Sequence, residues 1–446
     1  MRDLTTGSPL RKILLFTLPL LLGNLFQQFY NLADSLIVGR YLGINAFAAV
    51  GSTGSLSFMI IGFALGVCSG CAIPIAQCFG AGSPQEIRKY IGQIIHVGVA
   101  VTLGIMLLTF FGTKPVLVLL ETPEELFDDA YRYIFTIFMG VAATMLYNMS
   151  GSVLRALGDS RTPLLFLIFA ALLNVFLDIL FIARFGMGVE GAAYATVIAQ
   201  LLSGLACLEY IRRRVQILHL SASDLRPDFP RIRRLFKISL PMGLQMSITA
   251  IGTIILQGAV NSLGAATVAA VTAASKIGNI ISSPFDSLGI ATATYSGQNL
   301  GAGEMRRIHK GIRWVFFIGI AYSLCAFGIV FFFGSKIACV FMDPGETEIL
   351  RLVQTYLNII GASYPMLTVI MVLRNALQGL GFSNSAMLSG LAELVARSLT
   401  AFTLVGVLGF YAVCLAHSFA WVAADLILIP LYFIQIRKLD KTVQPA

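Results

Sequence analysis

Long apolar segments constrain this chain more than any other feature of its sequence. Each is close to or longer than the roughly 20 residues that an α-helix needs to cross a bilayer. Charged residues make up only 12% of the 446-residue chain, against about 25% in soluble domains. This composition excludes a soluble or disordered protein and predicts an all-α polytopic membrane protein with twelve transmembrane helices in two six-helix bundles. The predicted segments are Ile13–Val38, Leu56–Phe79, Ile91–Phe111, Tyr131–Leu157, Pro163–Ile182, Ala192–Tyr210, Ile238–Val260, Ile277–Tyr295, Ile312–Phe333, Tyr356–Leu377, Met387–Leu408 and Val413–Phe433.

The lysine and arginine residues predict how these segments are oriented. With both termini in the cytoplasm, 22 of the 31 basic residues lie inside, six lie outside and three lie within segments. Cytoplasmic loops carry this excess of Lys and Arg. The net charge of +9 therefore indicates contact with anionic lipids and not with nucleic acid. We expect a monomeric multi-pass membrane protein with both termini in the cytoplasm.

The second half of the sequence repeats the first. Gln77–Gly82 recurs as Gln298–Gly303 after 221 positions, and Pro19 recurs as Pro241 after 222. Because each half has an even number of segments, the two halves are parallel repeats, as in transporters that open a central cleft to either side. A static scaffold is the alternative. The repeat predicts an N-terminal lobe at 1–213, a basic cytoplasmic linker at 214–236 and a C-terminal lobe at 237–446.

Two acidic residues predict a cation site in the first half. Ionisable groups inside a membrane are costly and usually functional. Asn174 and Asp178 are one helical turn apart and share a face. Helix rise and direction place them, with Asp34 and Thr196, at a similar depth in the outer half of the membrane. Two carboxyls there would share a proton or hold a cation through oxygen ligands. The alternative is a pair of unrelated acids that serve helix packing.

Further polar residues predict a substrate cleft. In the first segment, Asn24, Gln27, Asn31 and Asp34 follow steps of three and four, so they share one face of the helix. That face must contact protein or water, because lipid cannot solvate it. The candidate cleft residues are Asn24, Gln27, Gln28, Asn31, Gln200, Gln245, Thr249 and Lys276.

The second half carries different charges. Offsets of 221 to 223 from the two acids of the first half reach only uncharged residues, so the cation site is predicted in the first half alone. Glu393 and Arg397 are one turn apart and are expected to neutralise each other. Arg374 is expected to extend its charge to the cytoplasmic surface. The sequence leaves open the roles of three more charged residues, Lys276, Asp286 and Asp425.

Other motifs indicate helix packing. Gly62, Gly66 and Gly70 form a double GxxxG pattern, which allows close approach of helices. Cys68 and Cys71 have the spacing of a redox or zinc motif, but they lie in an apolar segment without a neighbouring histidine, which favours packing. The sequence contains no HExxH, no P-loop and no convincing catalytic triad. We therefore expect a protein that is not an enzyme and needs no cofactor.

The chain resembles the multidrug and toxic compound extrusion (MATE) family over nearly its whole length. The run Asn31–Gly39 is similar to the Asp motif of the family. Asn174–Asp178 and Gly191–Thr196 also match, as do the Gln-x-x-Gly-Ala-Gly segments that begin at Gln77 and Gln298. The resemblance implies a secondary antiporter of the inner membrane. Such a protein exports small amphipathic, often cationic, organic compounds in exchange for H⁺ or Na⁺ by alternating access.

The resemblance also implies site residues. In the branch that the chain is most similar to, the first-half cation site is built from residues matching Asp34, Asn174, Asp178 and Thr196. Some relatives add a Glu in the seventh segment, where this chain has Gln245 and no acid. A lipid-linked precursor flippase, similar in architecture, is the second hypothesis, although its substrate would require several cleft-facing cations. A membrane enzyme or receptor scaffold ranks last.

Overall fold

Helices make up almost all of the computed structural model, which describes residues 3–120, 122–340 and 343–443. A helix satisfies its own backbone hydrogen bonds, which a membrane interior requires. Short π-helical turns extend two of the helices. The helices are α1 (Pro9–Leu42), α2 (Ile44–Ser52), α3 (Gly54–Gly80), α4 (Pro84–Leu119), α5 (Glu124–Met139), α6 (Val141–Ala156), α7 (Arg161–Asp178), α8 (Val189–Arg214), α9 (Phe229–Asn261), α10 (Ala265–Gly301), α11 (Met305–Ala338), α12 (Thr347–Ala362), α13 (Tyr364–Gly379), α14 (Ser383–Leu399), α15 (Val405–Leu408) and α16 (Phe410–Val443).

The helices provide the predicted number of membrane spans. Within the described residues, ten helical segments are long and apolar enough to cross a bilayer. Two bent pairs qualify as further spans: α5 with α6, bent by 48°, and α12 with α13, bent by 49°. The helices thus support up to twelve spans, which confirms the fold class expected from the sequence.

Backbone geometry repeats between the two halves. Gly43 has φ 89° and Gly264, 221 positions later, has φ 92°; such positive values favour glycine because it lacks a Cβ. A π-helical turn follows α7 at Ile179–Arg184, and another follows α14 at Thr400–Leu404, again offset by 221. Corresponding positions of the repeat therefore share local backbone conformation as well as residue type.

The chain folds into two compact units. The first unit comprises Leu18–Gly243, and the second comprises Leu4–Thr17 and the chain from Leu244 onwards. Helix α1 therefore contributes its first residues to the second unit, and α9 contributes its first residues to the first unit. The linker predicted at 214–236 stays a prediction.

Small residues determine helix packing in the first unit. A Cβ on Gly66 would lie 2.5 Å from the carbonyl oxygen of Met242, and a Cβ on Gly70 would lie 2.5 Å from the Cα of Ser239. Since real Cβ atoms do not approach so closely, α3 and the start of α9 pack backbone to backbone only because these positions are glycine. This is the packing role predicted for these glycines.

The cysteine pair of α3 belongs to the apolar core of the same unit. Cys68 and Cys71 are buried among aliphatic side chains such as Val67 and Ile75. The Cys68 thiol lies 3.7 Å from the sulfur of Met145. These surroundings are the apolar packing environment predicted for both thiols.

Candidate cation site and substrate-facing residues

The first unit brings the four predicted site residues together. Asp34 lies on α1, Asn174 and Asp178 on α7, and Thr196 on α8. The Asn174 amide donates to the Thr196 hydroxyl at 3.2 Å, and the carboxyls of Asp34 and Asp178 are close enough to share a hydrogen bond. Asp34 is 9% exposed, and Asn174 and Asp178 are fully buried. Three helices therefore assemble one polar cluster, hereafter called the cation site after the role predicted for it.

Three of the four carboxyl oxygens of the cation site are buried without a hydrogen-bond donor among the described residues. Asp34 Oδ1, both Asp178 oxygens and Asn174 Oδ1 are buried and receive no hydrogen bond from the described residues when both acids are ionised. Two carboxylates cannot bond each other, because neither holds a hydrogen; one proton between them would make the bond. A cation with oxygen ligands would relieve the same deficit. The oxygens thus fit a proton or a hard cation such as Na⁺.

Two tyrosines complete the cation site. The Tyr30 hydroxyl lies 3.3 Å from Thr196 Oγ1, and both Tyr30 and Tyr133 interact electrostatically with the two carboxyls. Neither tyrosine is among the site residues predicted from the sequence. Tyr30 precedes Asp34 by one helical turn, and this spacing could have revealed it. Tyr133 lies on α5, and no local pattern connects it with either acid.

An apolar cluster covers one side of the cation site. Asp178 is the last residue of α7, and a π-helical turn follows it directly; such turns occur often at functional sites. Ile182 of this turn packs with Val38 and Val189 in a buried cluster, against which Tyr133 also packs. Apolar surroundings strengthen the repulsion between two negative charges. Holding two ionised carboxyls together is therefore costly in these surroundings.

The candidate cleft residues of the first unit have mixed exposure. Asn31 is exposed, and its side-chain oxygen accepts a hydrogen bond from Gln27 at 3.2 Å. Asn24 and Gln28 are partly buried on the same helix. On α8, Gln200 accepts a hydrogen bond from the hydroxyl of Thr144 at 2.5 Å. The polar stripe of α1 therefore runs from the buried Asp34 to more accessible amides.

The candidate cleft residues of the second unit lie on α9 and α10. Gln245 is 3% exposed and accepts a hydrogen bond from Gln378 at 3.3 Å. The Thr249 hydroxyl donates to the Gln245 carbonyl at 3.0 Å. Lys276 is exposed on α10. Of these three candidates, Lys276 is the most accessible within its unit.

The second unit also contains a buried ionic network. The Arg397 guanidinium donates to Glu393 at 3.0 Å, which confirms the predicted pairing. Arg374 also pairs with Glu393, and its Nε donates to Ser389 at 3.1 Å. The prediction that Arg374 reaches the cytoplasmic surface is wrong. Its side chain stays buried because α14 offers a carboxylate and a hydroxyl within its reach.

Comparison with known proteins supports the repeat and identifies the family. The family model MatE matches residues 19–180 and 241–403, one match in each half. The chain is 30% identical over 379 residues to "Probable multidrug resistance protein YpnP" of Bacillus subtilis (strain 168), covering 85% of this chain and 84% of that protein. It is 24% identical to the "FAD transporter" of Shewanella oneidensis over 401 residues, 87% of this chain and 86% of that protein.

Solved structures show the same fold. An "outward-facing conformation of a multidrug resistance MATE family transporter of the MOP superfamily" matches with a TM-score of 0.91 at 21% identity, covering 98% of both chains. The structure of "MATE in complex with MaL6" matches with a TM-score of 0.89 at 21% identity, covering 98% of this chain and 99% of that chain. With the family model matching most of the sequence, the chain belongs to the MATE family of multidrug efflux transporters.

Proposed function

We propose that this chain is a secondary active antiporter that exports small amphipathic, often cationic, organic compounds in exchange for H⁺ or Na⁺. It would act in the plasma (inner) membrane with both termini in the cytoplasm, as the distribution of basic residues predicts. One observation carries the proposal: Asp34 and Asp178 form a buried carboxyl pair, and three of its four oxygens are buried without a hydrogen-bond donor among the described residues. Such a pair requires a proton or a cation, and its occupancy therefore depends on ion gradients.

Helix α1 provides the link between ion and substrate. It carries Asp34 in the cation site and, within ten residues, the more accessible Gln27 and Asn31. When the site is empty, the two carboxylates repel each other across an apolar region. Ion binding removes this repulsion and favours a different position of α1 relative to α7. A movement of α1 would change the polar face offered to a substrate, so the two binding events would be coupled.

The site residues are compatible with either ion. A shared proton needs only the two carboxyls, and a hard cation would add the side-chain oxygens of Asn174 and Thr196. The names of the relatives favour organic substrates, since several are called multidrug resistance or export proteins. No cofactor is needed, because the free energy comes from the ion gradient.

The test is efflux of a fluorescent organic cation from proteoliposomes under a pH gradient or a Na⁺ gradient. We expect one gradient to drive export by the parent protein, and Asp34→Asn and Asp178→Asn to reduce driven export at least tenfold. Glu190→Gln is the matched control, since it removes an exposed carboxylate of the same unit that pairs with Arg132 at 3.4 Å. Normal gradient-driven export by both Asn variants would contradict the proposal.

The flippase hypothesis predicts a different outcome. A polyanionic lipid headgroup would require several accessible cations, whereas Arg374 and Arg397 are buried and paired with Glu393. If the folded protein moved no organic cation under either gradient but rescued a flippase-deficient strain, the flippase hypothesis would replace the antiporter hypothesis. The liposome assay and the rescue assay together therefore separate the two functions.

A further inference from the structure

The second unit contains four buried charged side chains. Arg374, Glu393, Arg397 and Asp425 are 6%, 3%, 4% and 8% exposed; we call them the buried quartet. Among the described residues of the first unit, the buried charged side chains are the two acids of the cation site. The units therefore hold different chemistry: one has two acids, and the other has two acids beside two guanidinium groups.

Three members of the buried quartet form a fixed network. Glu393 accepts hydrogen bonds from both arginines. Arg374 also bonds Ser389, and Arg397 donates to the Thr249 carbonyl at 3.5 Å. Together these three side chains carry a net charge of +1, which a membrane interior tolerates poorly.

Asp425 is the fourth member and stands apart from this network. It lies on α16, which packs against α13 and α14, and it interacts electrostatically with Arg374 and Glu393. Its Oδ1 is buried and receives no hydrogen bond from the described residues. Ionised Asp425 would make the buried quartet neutral, but its charged Oδ1 would have no hydrogen-bond donor. Protonated Asp425 would carry no charge on this oxygen, but the net charge of the buried quartet would then be +1.

Two other titratable groups near α16 interact with Arg397. His417, on α16 itself, and Tyr356, on α12, both interact with Arg397. Tyr356 also lies close to Cys414. The charges that act on Asp425 are therefore those of Arg374 from α13 and Glu393 from α14.

We propose that Asp425 is a second proton-binding site, built in the second unit and chemically distinct from the cation site of the first. The two states of Asp425 each carry one penalty, an unbonded buried oxygen or an uncompensated charge. A group balanced in this way exchanges its proton when its surroundings shift slightly. The ligand is a proton and not a metal cation, because the neighbouring Arg374 guanidinium repels metal ions.

The proposal has a structural consequence and does not depend on the proposed antiport. A proton from water binds the carboxylate, and the net charge between α16 and the α13–α14 pair rises by one. The attraction between Asp425 and Arg374 is then lost, which loosens the contact of α16 with its neighbours. Proton occupancy would thus set how tightly α16 packs.

Infrared difference spectroscopy tests the site in the full-length protein in lipid bilayers. The Asp34→Asn/Asp178→Asn background removes the acids of the cation site. We expect a pH-dependent band of a protonated carboxyl that shifts in D₂O and disappears when Asp425→Asn is added. Asp286→Asn is the matched control, since it removes another acid of the second unit, exposed on α10, and it should leave this band unchanged. The same pH-dependent band with and without Asp425 would overturn the proposal.

Folding provides an independent measurement. Asn resembles the protonated acid, so we expect Asp425→Asn to elute as a monodisperse protein and to melt close to the parent. Asp425→Glu retains a carboxyl and serves as the comparison. If Asp425→Glu folds and Asp425→Asn does not, the ionised carboxylate is a structural requirement and Asp425 is not an exchangeable site.

Discussion

At the scale of single residues, the cation site depends on two acids that are 144 positions apart in the sequence, Asp34 and Asp178. Either acid alone would be an isolated carboxyl in an apolar helix, which would be held protonated. Placed within hydrogen-bonding distance, they become a pair that cannot carry two charges without a bound ion. In the proposed function, the pairing, more than either residue, would give the site its affinity for a cation.

Tyr30 provides a residue-scale prediction. Its hydroxyl lies 3.3 Å from Thr196 Oγ1, and a neutral hydrogen bond contributes about 1 kcal/mol net, or about fivefold in affinity. We expect Tyr30→Phe to raise the concentration of coupling ion needed for half-maximal export by about fivefold.

The measurement is export rate against ion concentration in proteoliposomes. Tyr41→Phe is the matched control, because Tyr41 lies on the same helix and is 50% exposed. An unchanged ion dependence of Tyr30→Phe would show that the hydroxyl does not support the ion ligands.

At the scale of structural elements, the repeated Gln-x-x-Gly-Ala-Gly motif has a position that explains it. Gln77 accepts a hydrogen bond from Arg234 at 2.8 Å, near the start of α9. Gln298, its counterpart, accepts a hydrogen bond from the Leu4 amide at 3.1 Å, before α1. Each copy therefore holds the segment that leads into the first helix of the other half.

Arg307 provides an element-scale prediction. Its guanidinium donates to the Leu4 carbonyl at 3.1 Å, to the Gly7 carbonyl at 2.8 Å and to Asn299 at 2.9 Å. Charged hydrogen bonds contribute about 1.5–3 kcal/mol each. We expect Arg307→Gln to release the segment before α1 and to accelerate its amide exchange about tenfold or more. The measurement is hydrogen–deuterium exchange of the N-terminal peptide.

The neighbouring arginine supplies the control. Arg306 is exposed, so Arg306→Gln removes the same charge without removing these bonds and should leave the exchange unchanged. Equal acceleration of amide exchange by both variants would indicate a general effect of the lost charge, and not the loss of the specific hydrogen bonds of Arg307.

The loop before α9 is held in a comparable way and predicts a pH dependence. Its Asp228 amide donates to Gln93 at 2.9 Å. The Arg231 backbone N–H donates to the Asp228 carboxylate at 3.1 Å and lowers the pKa of that carboxyl, as does the Arg231 side chain. A lowered pKa means that the ionised form stabilises the folded loop. This stabilisation is complete above the usual aspartate value of about 3.9 and is lost as the pH falls through the lower folded value.

We therefore expect amide protection in residues 221–231 to be constant near neutral pH and to fall in strong acid. Asp228→Asn should reduce this protection at neutral pH and flatten its acid dependence. Glu125→Gln, an exposed carboxyl elsewhere, is the control. The measurement is amide exchange as a function of pH. If the parent and Asp228→Asn gave the same protection at every pH, the Asp228 carboxylate would not stabilise the loop.

At the scale of the whole molecule, the distribution of basic residues predicts orientation. We expect a fluorescent protein fused to the C-terminus to be bright, because the predicted C-terminus is cytoplasmic. The same reporter fused after Val340, which follows nine predicted spans, should be dark, and alkaline phosphatase at that position should be active. The reverse pattern at both positions would contradict the predicted topology.

The twelve spans could be predicted from the sequence, but not their internal geometry. The segment Tyr131–Leu157 reads as one continuous apolar helix, whereas the chain bends by 48° between α5 and α6. A Cβ on Gly140 would lie 2.2 Å from the Val197 side chain. At the bend the chain therefore packs so closely against α8 that a side chain at position 140 would clash. The hydropathy of the segment does not indicate this contact.

The sequence by itself determined the properties that follow from composition and period. Apolar length sets the spans, basic residues predict the orientation, the offset of 221 to 223 reveals the repeat, and the spacing of Asn174 and Asp178 places them on one face. Each of these follows from residue types and their spacing along the chain, without knowledge of which residues meet in space.

Only the tertiary structure decided which charges meet. It placed the carboxyls of the already predicted pair, Asp34 and Asp178, within hydrogen-bonding distance. It also added Tyr133 to them and buried Arg374 against Glu393, where the sequence suggested an exposed end. The physical reason is that the free energy of a buried charge depends on its neighbours in space. Those neighbours come from helices that packing brings together, and no local pattern specifies them.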